Sequence, residues 1–152
     1  MRRRLGRVEV RLATPEDADH VADVFIASFR TLTFLPRLHT DDETRAHIAT
    51  VVARDEVWVA VEGGRIVGMA SLSSGQLDAF YVHPDAHGCG AGSALLAKAK
   101  ERRPDGFTFW VFQQNDHARR FYERRGCRAV MLTDGSGNEE KTPDALYEWR
   151  PE

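Results

Sequence analysis

A disulfide framework is not expected, because Cys89 and Cys127 are the two cysteines in 152 residues and lie far apart in sequence. Two such thiols build no stapled framework, which agrees with a reducing, cytoplasmic location. Long apolar runs are missing too. No stretch approaches the roughly 20 residues a helix needs to cross a bilayer, and Val8 to Leu12 interleaves charges behind the basic start, so no secretory signal is expected. Charge of one sign is also lacking: 21 Lys and Arg against 23 Asp and Glu leave a net charge of −2. Neither nucleic acid nor an anionic membrane is therefore an expected partner. Lysine is scarce, 3 against 18 arginines, which reads as composition bias. Arg2, Arg3, Arg4 and Arg7 mark residues 1–7 as a flexible basic arm, with a weak phosphate contact as the competing use. Repeats and internal linkers are absent, and the length suits one domain, 1–152, with a proper core.

What is present is an alternation of strand and helix patterns. Val8 to Ala13 alternates like a strand. Thr14-Pro15-Glu16-Asp17 then opens a helix with a cap, a first-turn proline and acids. Its apolar face is Ala18, Val21, Val24, Phe25, Ser28 and Phe29. Thr40-Asp41-Asp42-Glu43 repeats the capping pattern and predicts a helix from Asp41 to about Ala53. Two apolar runs joined by Glu62-Gly63-Gly64-Arg65 predict a hairpin. Gln76 to Val82 is a further strand. A glycine loop and a helix to Arg103 follow, then the strand FTFWVF and the helix DHARRFYERRG, capped by Gly126. Cys127 to Leu132 and Ala145 to Trp149 are the last strands, and the polar, glycine-rich segment between them is expected to be a mobile loop. The order β-α-α-β-β-β-α-β-α-β-β describes an α/β domain.

The loop HGCGAG, His87 to Gly92, separates a strand from a helix start. A helix N-terminus has backbone N–H groups without internal partners and a partial positive charge. Glycines let those amides reach phosphate oxygens, so the loop predicts a phosphate or pyrophosphate cradle. The competing reading is a tight structural turn. A Walker loop fails for want of a Gly-Lys-Ser/Thr end. A dinucleotide fingerprint fails because Ala91 and Ser93 stand where it needs glycine.

The stretch YVHPDAHGCGAGSALL resembles the acyl-CoA signature of the GNAT superfamily of N-acyltransferases, Q/R-x-x-G-x-G/A, with His87 in place of the usual Arg or Gln. Downstream, FWVFQQNDHARRFYERRGC is similar to the second signature of that family. Asn115, Ala118, Phe121, Tyr122, Glu123 and Gly126 match it, and Cys127 replaces a Phe. The resemblance spans Val8 to Trp149. It implies a mixed, mostly antiparallel sheet of six or seven strands flanked by about four helices. It also implies a sheet that splays after the Asp78 strand, so that a pantetheine arm inserts alongside it like a strand.

The resemblance further implies acetyl-CoA as co-substrate and an amine as acceptor. An alkyl amine is mostly protonated at neutral pH, so a base must take its proton. The thioester oxygen gains charge and needs a backbone N–H, and the departing thiolate is best protonated. Tyr122 matches the family's acid beside the sulfur; packing of its helix is the competing role. Asn115 matches a pantetheine or water ligand, and it is also a natural N-cap. Asp78 is the candidate base, directly or through water, unless it is merely an exposed strand acid. Alternation puts Asp78, Phe80 and Val82 on one face and Leu77, Ala79 and Tyr81 on the other. The expected acyl-CoA contacts are Phe80, Tyr81, Val82, His87, Gly88, Cys89, Gly90, Ala91, Gly92, Ser93, Asn115, Ala118 and Tyr122.

Cys89 beside His87 suggests a rival, a thiol nucleophile. A metal at His83, His87 and Cys89 lacks a fourth ligand, and none is expected. Phe34, Leu35 and His39 are candidates for the acceptor pocket, the first two with core packing as the alternative. Arg119, Arg120, Arg124 and Arg125 are available to CoA phosphates, to the partner of a homodimer or to solvent. The reading is an N-acetyltransferase working by direct attack in a ternary complex. Its rivals are a non-catalytic acyl-CoA sensor of the same fold and a regulator that contacts a partner through its N-terminal arginines.

Overall fold

A computed structural model describes residues 7–152. Most of the N-terminal arm, including Arg2, Arg3 and Arg4, lies outside the described residues. Strand β1 is Val8–Leu12, followed by a 3-10 turn at Pro15–Asp17 and helices α1, Ala18–Arg30, and α2, Asp41–Arg54. Strands β2, Glu56–Glu62, β3, Arg65–Ser73, and β4, Gln76–Val82, come next. A second 3-10 turn, Pro84–Ala86, leads to α3, Ala91–Arg102. The chain ends with β5, Phe107–Phe112, α4, Asp116–Glu123, β6, Cys127–Leu132, and β7, Asp144–Trp149. The seven strands form one sheet in the order β1-β2-β3-β4-β5-β7-β6. Every neighbouring pair is antiparallel except β4 and β5.

Local chemistry sets most of these boundaries. Gly63 and Gly64 have φ of 56° and 77°, the left-handed pair that a two-residue hairpin turn requires. Thr40 Oγ1 accepts from the Glu43 N–H at 3.1 Å, and Glu43 Oε1 accepts from the Thr40 N–H at 2.9 Å, a full capping box. The first helix starts differently from expectation. Its opening turn is 3-10, and Asp17 receives the Thr14 N–H and the Arg11 guanidinium, at 2.8 and 2.7 Å. That ties the turn back to β1.

Two apolar layers enclose the sheet. One face packs under α3 and α4 around Leu95, Leu96, Phe107, Phe109 and Tyr147; the other packs under α1 and α2 around Val21, Val24, Ile48, Val59 and Met69. Strand β3, covered on both sides, is buried from Ile66 to Leu72. Beyond the core, Glu56 joins β2 to the end of α3. Its carboxylate accepts from Trp58 Nε1 and Arg102 Nε, both at 2.8 Å, and from Arg103 at 3.2 Å. Burial alone would raise Glu56, but these donors override it and hold the carboxyl at about 2. A depressed carboxylate stabilises the fold above its unfolded pKa and loses that contribution as pH falls through its folded value. Glu56→Gln is expected to cost about 1–2 kcal/mol at neutral pH. Urea melts at neutral pH and at successively lower pH should show that difference shrinking toward pH ~2.

Two sequence expectations are corrected. The segment from Thr133 to Asp144, expected to be mobile, folds onto itself. The Thr133 hydroxyl bonds the Asp144 carboxylate, and Asn138 Nδ2 donates to the Thr142 carbonyl at 2.7 Å and to Asp144 at 3.1 Å. The simple alternation expected along β4 also fails. Ser71 pairs with Ala79 but Leu72 pairs with Leu77, which leaves Asp78 as an unpaired bulge residue. Leu77 therefore joins Phe80 and Val82 in the α3–α4 layer, while Ala79 and Tyr81 pack on the α1–α2 side.

Candidate active site

The parallel neighbours β4 and β5 share one register pair, Gln76 with Thr108. Past it the strands part, and the gap is a cleft of about 780 Å3. Its walls are β4 from Leu77 to Val82, β5 from Phe109 to Phe112, the start of α3 and the inner side of α4. The bulge places Asp78 at this opening with its side chain exposed.

The α3 end of the cleft shows why the loop is rich in glycine, and the three glycines do different jobs. Gly88 and Gly90 have φ of 86° and 91°, left-handed backbone that only glycine adopts without strain. Gly90 is the N-cap of α3 and supplies no side chain, so the first-turn amides of Ala91, Gly92 and Ser93 open onto the cleft. Gly92 is small for another reason: a Cβ there would lie 3.1 Å from the Phe121 ring of α4. Cys89 does not join the cradle. Its side chain is 7% exposed in the core, and its N–H donates to the Ala86 carbonyl at 3.2 Å. The same burial removes it as a nucleophile. Among the described residues no group of three His, Cys, Asp or Glu is placed to hold a metal.

Tyr122 forms the floor. It is 6% exposed, with Phe109 4.5 Å and Phe80 5.7 Å away between ring centroids. Burial drives its phenol far above the ordinary tyrosine range, and the Tyr81 and Cys127 charges add to that. Such a group stays protonated at any pH the protein meets. Tyr81 turns toward α1, edge-on to Phe25 at 4.7 Å, and burial raises it to about 12. Asn115 caps α4, its side-chain oxygen accepting from the Ala118 N–H at 3.2 Å, and both residues line the cleft. The Val82 carbonyl accepts from Ser28 Oγ at 2.7 Å, which ties α1 to the cleft rim.

The three acceptor candidates separate. Phe34 lines the cleft and meets Phe112 edge-on at 6.1 Å. Leu35 is buried packing. His39 lies elsewhere, in a second cavity of about 840 Å3 near α2, with its Nε2 2.5 Å from Glu139 Oε1. Sequence reasoning missed Trp110 and His117, and placed Ser28 only on the apolar face of the first helix; all three line the cleft. His117 has a signal in retrospect, two residues after Asn115 in the matched motif. Arg125, one of the four arginines left open, makes two contacts at the cleft. It stacks on Phe121 at 3.8 Å and donates to Ser93 Oγ at 2.9 Å.

The geometry can be set beside known proteins. Residues 53–127 match the family model for the acetyltransferase (GNAT) domain. Peptidyl-lysine N-acetyltransferase YjaB of Escherichia coli is 39% identical over 75 residues, a segment that covers 49% of this chain and 50% of that relative. A GCN5-related N-acetyltransferase from Rhodopseudomonas palustris has the same fold at 24% identity. Its TM-score is 0.79, covering 99% of this chain and 100% of the other. The PaiA N-acetyltransferase of Thermoplasma acidophilum, solved with coenzyme A, has a TM-score of 0.74 at 17% identity, covering 95% and 99%. With a seven-stranded sheet parted between β4 and β5 and both signature segments at that parting, the chain belongs to the GNAT superfamily.

Proposed function

We propose that residues 1–152 act as one domain that transfers acetyl from acetyl-CoA to an amine by direct attack in a ternary complex. The observation that carries this reading is the parting of β4 from β5. It exposes a strand edge between a cradle of free amides at α3 and a permanently protonated phenol at Tyr122. A relative named as a peptidyl-lysine N-acetyltransferase and a structural neighbour solved with coenzyme A support it.

In this reading the amides of Ala91, Gly92 and Ser93 hold the diphosphate, and Arg125 fixes the Ser93 side of the cradle. The pantetheine arm lies along Phe80, Tyr81 and Val82, with Asn115 and Ala118 opposite. Asp78 takes a proton from the acceptor ammonium, directly or through one water. The freed nitrogen forms a C–N bond to the acetyl carbon, and the C–S bond breaks. Tyr122 gives its proton to the departing sulfur, the acylated nitrogen sheds its second proton to water as the neutral amide forms, and water returns one proton to Tyr122 while the proton held by Asp78 leaves to solvent.

Thermal midpoints with saturating acetyl-CoA, and with adenosine as control, test the donor. Acetyl-CoA at ~100 times its Kd should add about 2.7 kcal/mol, and adenosine little. Thiol release across amines of different classes then identifies the acceptor; no release with any amine would sink the catalytic reading. Asp78→Asn is expected to lower kcat about 10–100-fold near neutral pH. The deficit should narrow as pH rises toward the amine pKa, where the acceptor sheds its own proton.

A further inference from the structure

Two imidazoles in the cleft have no part in the transfer chemistry above. His87 leaves the turn before α3, and His117 sits in the first turn of α4. Their rings lie parallel, 9° between planes and 5.1 Å between centroids. Both are exposed, and both line the cleft beside Gly88, Gly90 and Ser93. Side chains from two separate elements thus converge where the unpaired amides collect.

Two imidazolium rings stacked in this way would set like charges face to face. His117 is held below its ordinary range by desolvation first, then by His87 and by Arg120 one turn along its own helix. The other charged groups nearby are Asp116 on α4 and, before α3, Asp85, whose carboxylate lies 3.7 Å from His83. Arg125 completes the basic rim. An oxyanion at this end of the cleft would reverse the balance, offering both rings an acceptor and a counter-charge.

We propose that His87 and His117 clamp the diphosphate of acyl-CoA together and take up a proton as it binds. This rests on the acyl-CoA reading of the cleft. It assigns His117 a binding role and gives His87 a reason to stand where an always-charged or never-charged residue is the family's rule. The sign follows from linkage. A base whose pKa rises on binding makes affinity greatest at low pH and weaker as pH climbs through the histidine range.

Calorimetry with dephospho-CoA tests the clamp, since that probe keeps the diphosphate but lacks the 3′-phosphate, whose own second pKa near ~6 would confuse the count. Titrations from about pH 6 to about pH 8, in buffers of different ionisation enthalpy, read the protons taken up. The native chain should take up about 0.5–1 proton near neutrality, and its affinity should fall up to ~10-fold per pH unit within that window. His117→Gln and His87→Gln should each cut the uptake and flatten the pH profile. Unliganded melting points, expected to be unchanged for exposed imidazoles, confirm that both variants fold. No uptake in the native chain, or the same uptake and slope in both variants, overturns the clamp while leaving the acyl-CoA reading intact. Failure of CoA and dephospho-CoA to bind at every pH overturns both.

Discussion

Tyr122→Phe is expected to lower kcat by about 10²–10³-fold with little change in KM for acetyl-CoA, a loss of about 3–4 kcal/mol in the transition state. The substitution keeps the ring that packs against Phe109 and Phe80 and removes the hydroxyl alone. A role confined to packing would leave kcat close to native, and that result would remove Tyr122 from the chemistry. The pH profile supplies a second reading. Because burial holds the phenol far above its usual range, Tyr122 remains an acid throughout the working range. Native activity should therefore show no alkaline decline from Tyr122 below pH ~10, the ordinary tyrosine value.

Gly90→Val should abolish most acyl-CoA binding, at least about tenfold in Kd. A β-branched residue at φ 91° costs roughly 1–2 kcal/mol or more in strain and turns the first amides of α3 away from the cleft. Strain alone could mimic this, so Gly63→Val is the matched control. Gly63 also has a left-handed φ, of 56°, but sits in the β2–β3 hairpin, remote from the cleft. Both variants should melt lower than the native chain; acetyl-CoA should still raise the midpoint of Gly63→Val fully and that of Gly90→Val by much less. Equal shifts in the two would show that the cradle's backbone is not what holds the ligand.

Elements whose limits are set by neighbours in sequence were legible in advance. The Thr40–Glu43 capping box and the Gly63-Gly64 turn rest on contacts a few residues apart, and the strand Gln76–Val82 shows in its own residue types between turn signals. The β-bulge was not legible, because nothing in QLDAFYV says which residue β3 will leave unpaired; the register with Ser71 and Leu72 decides it. The glycine loop was legible as a cradle but not in its division of labour. Gly92 is small because Phe121, 29 positions on, rests against it, and Cys89 faces inward because the turn at Pro84–Ala86 takes up its N–H. The stacking of His87 on His117 belongs to the same class, a meeting of two elements distant in sequence. The loop from Thr133 to Asp144 looked free because its residues are polar. Its order comes from Asn138 and Asp144 bonding each other across a turn that needs Gly135, where a Cβ would fall 2.2 Å from the Thr142 carbonyl carbon.

The single rung between β4 and β5 has one more consequence. A sheet joined at one register pair is mechanically two half-sheets, four strands and three, which share the apolar layer under α3 and α4. The missing rungs are a fixed deficit of backbone hydrogen bonds along the seam. An extended molecule carrying amide groups would repair that deficit as an eighth strand does, so that occupancy of the seam welds the halves into one cooperative unit.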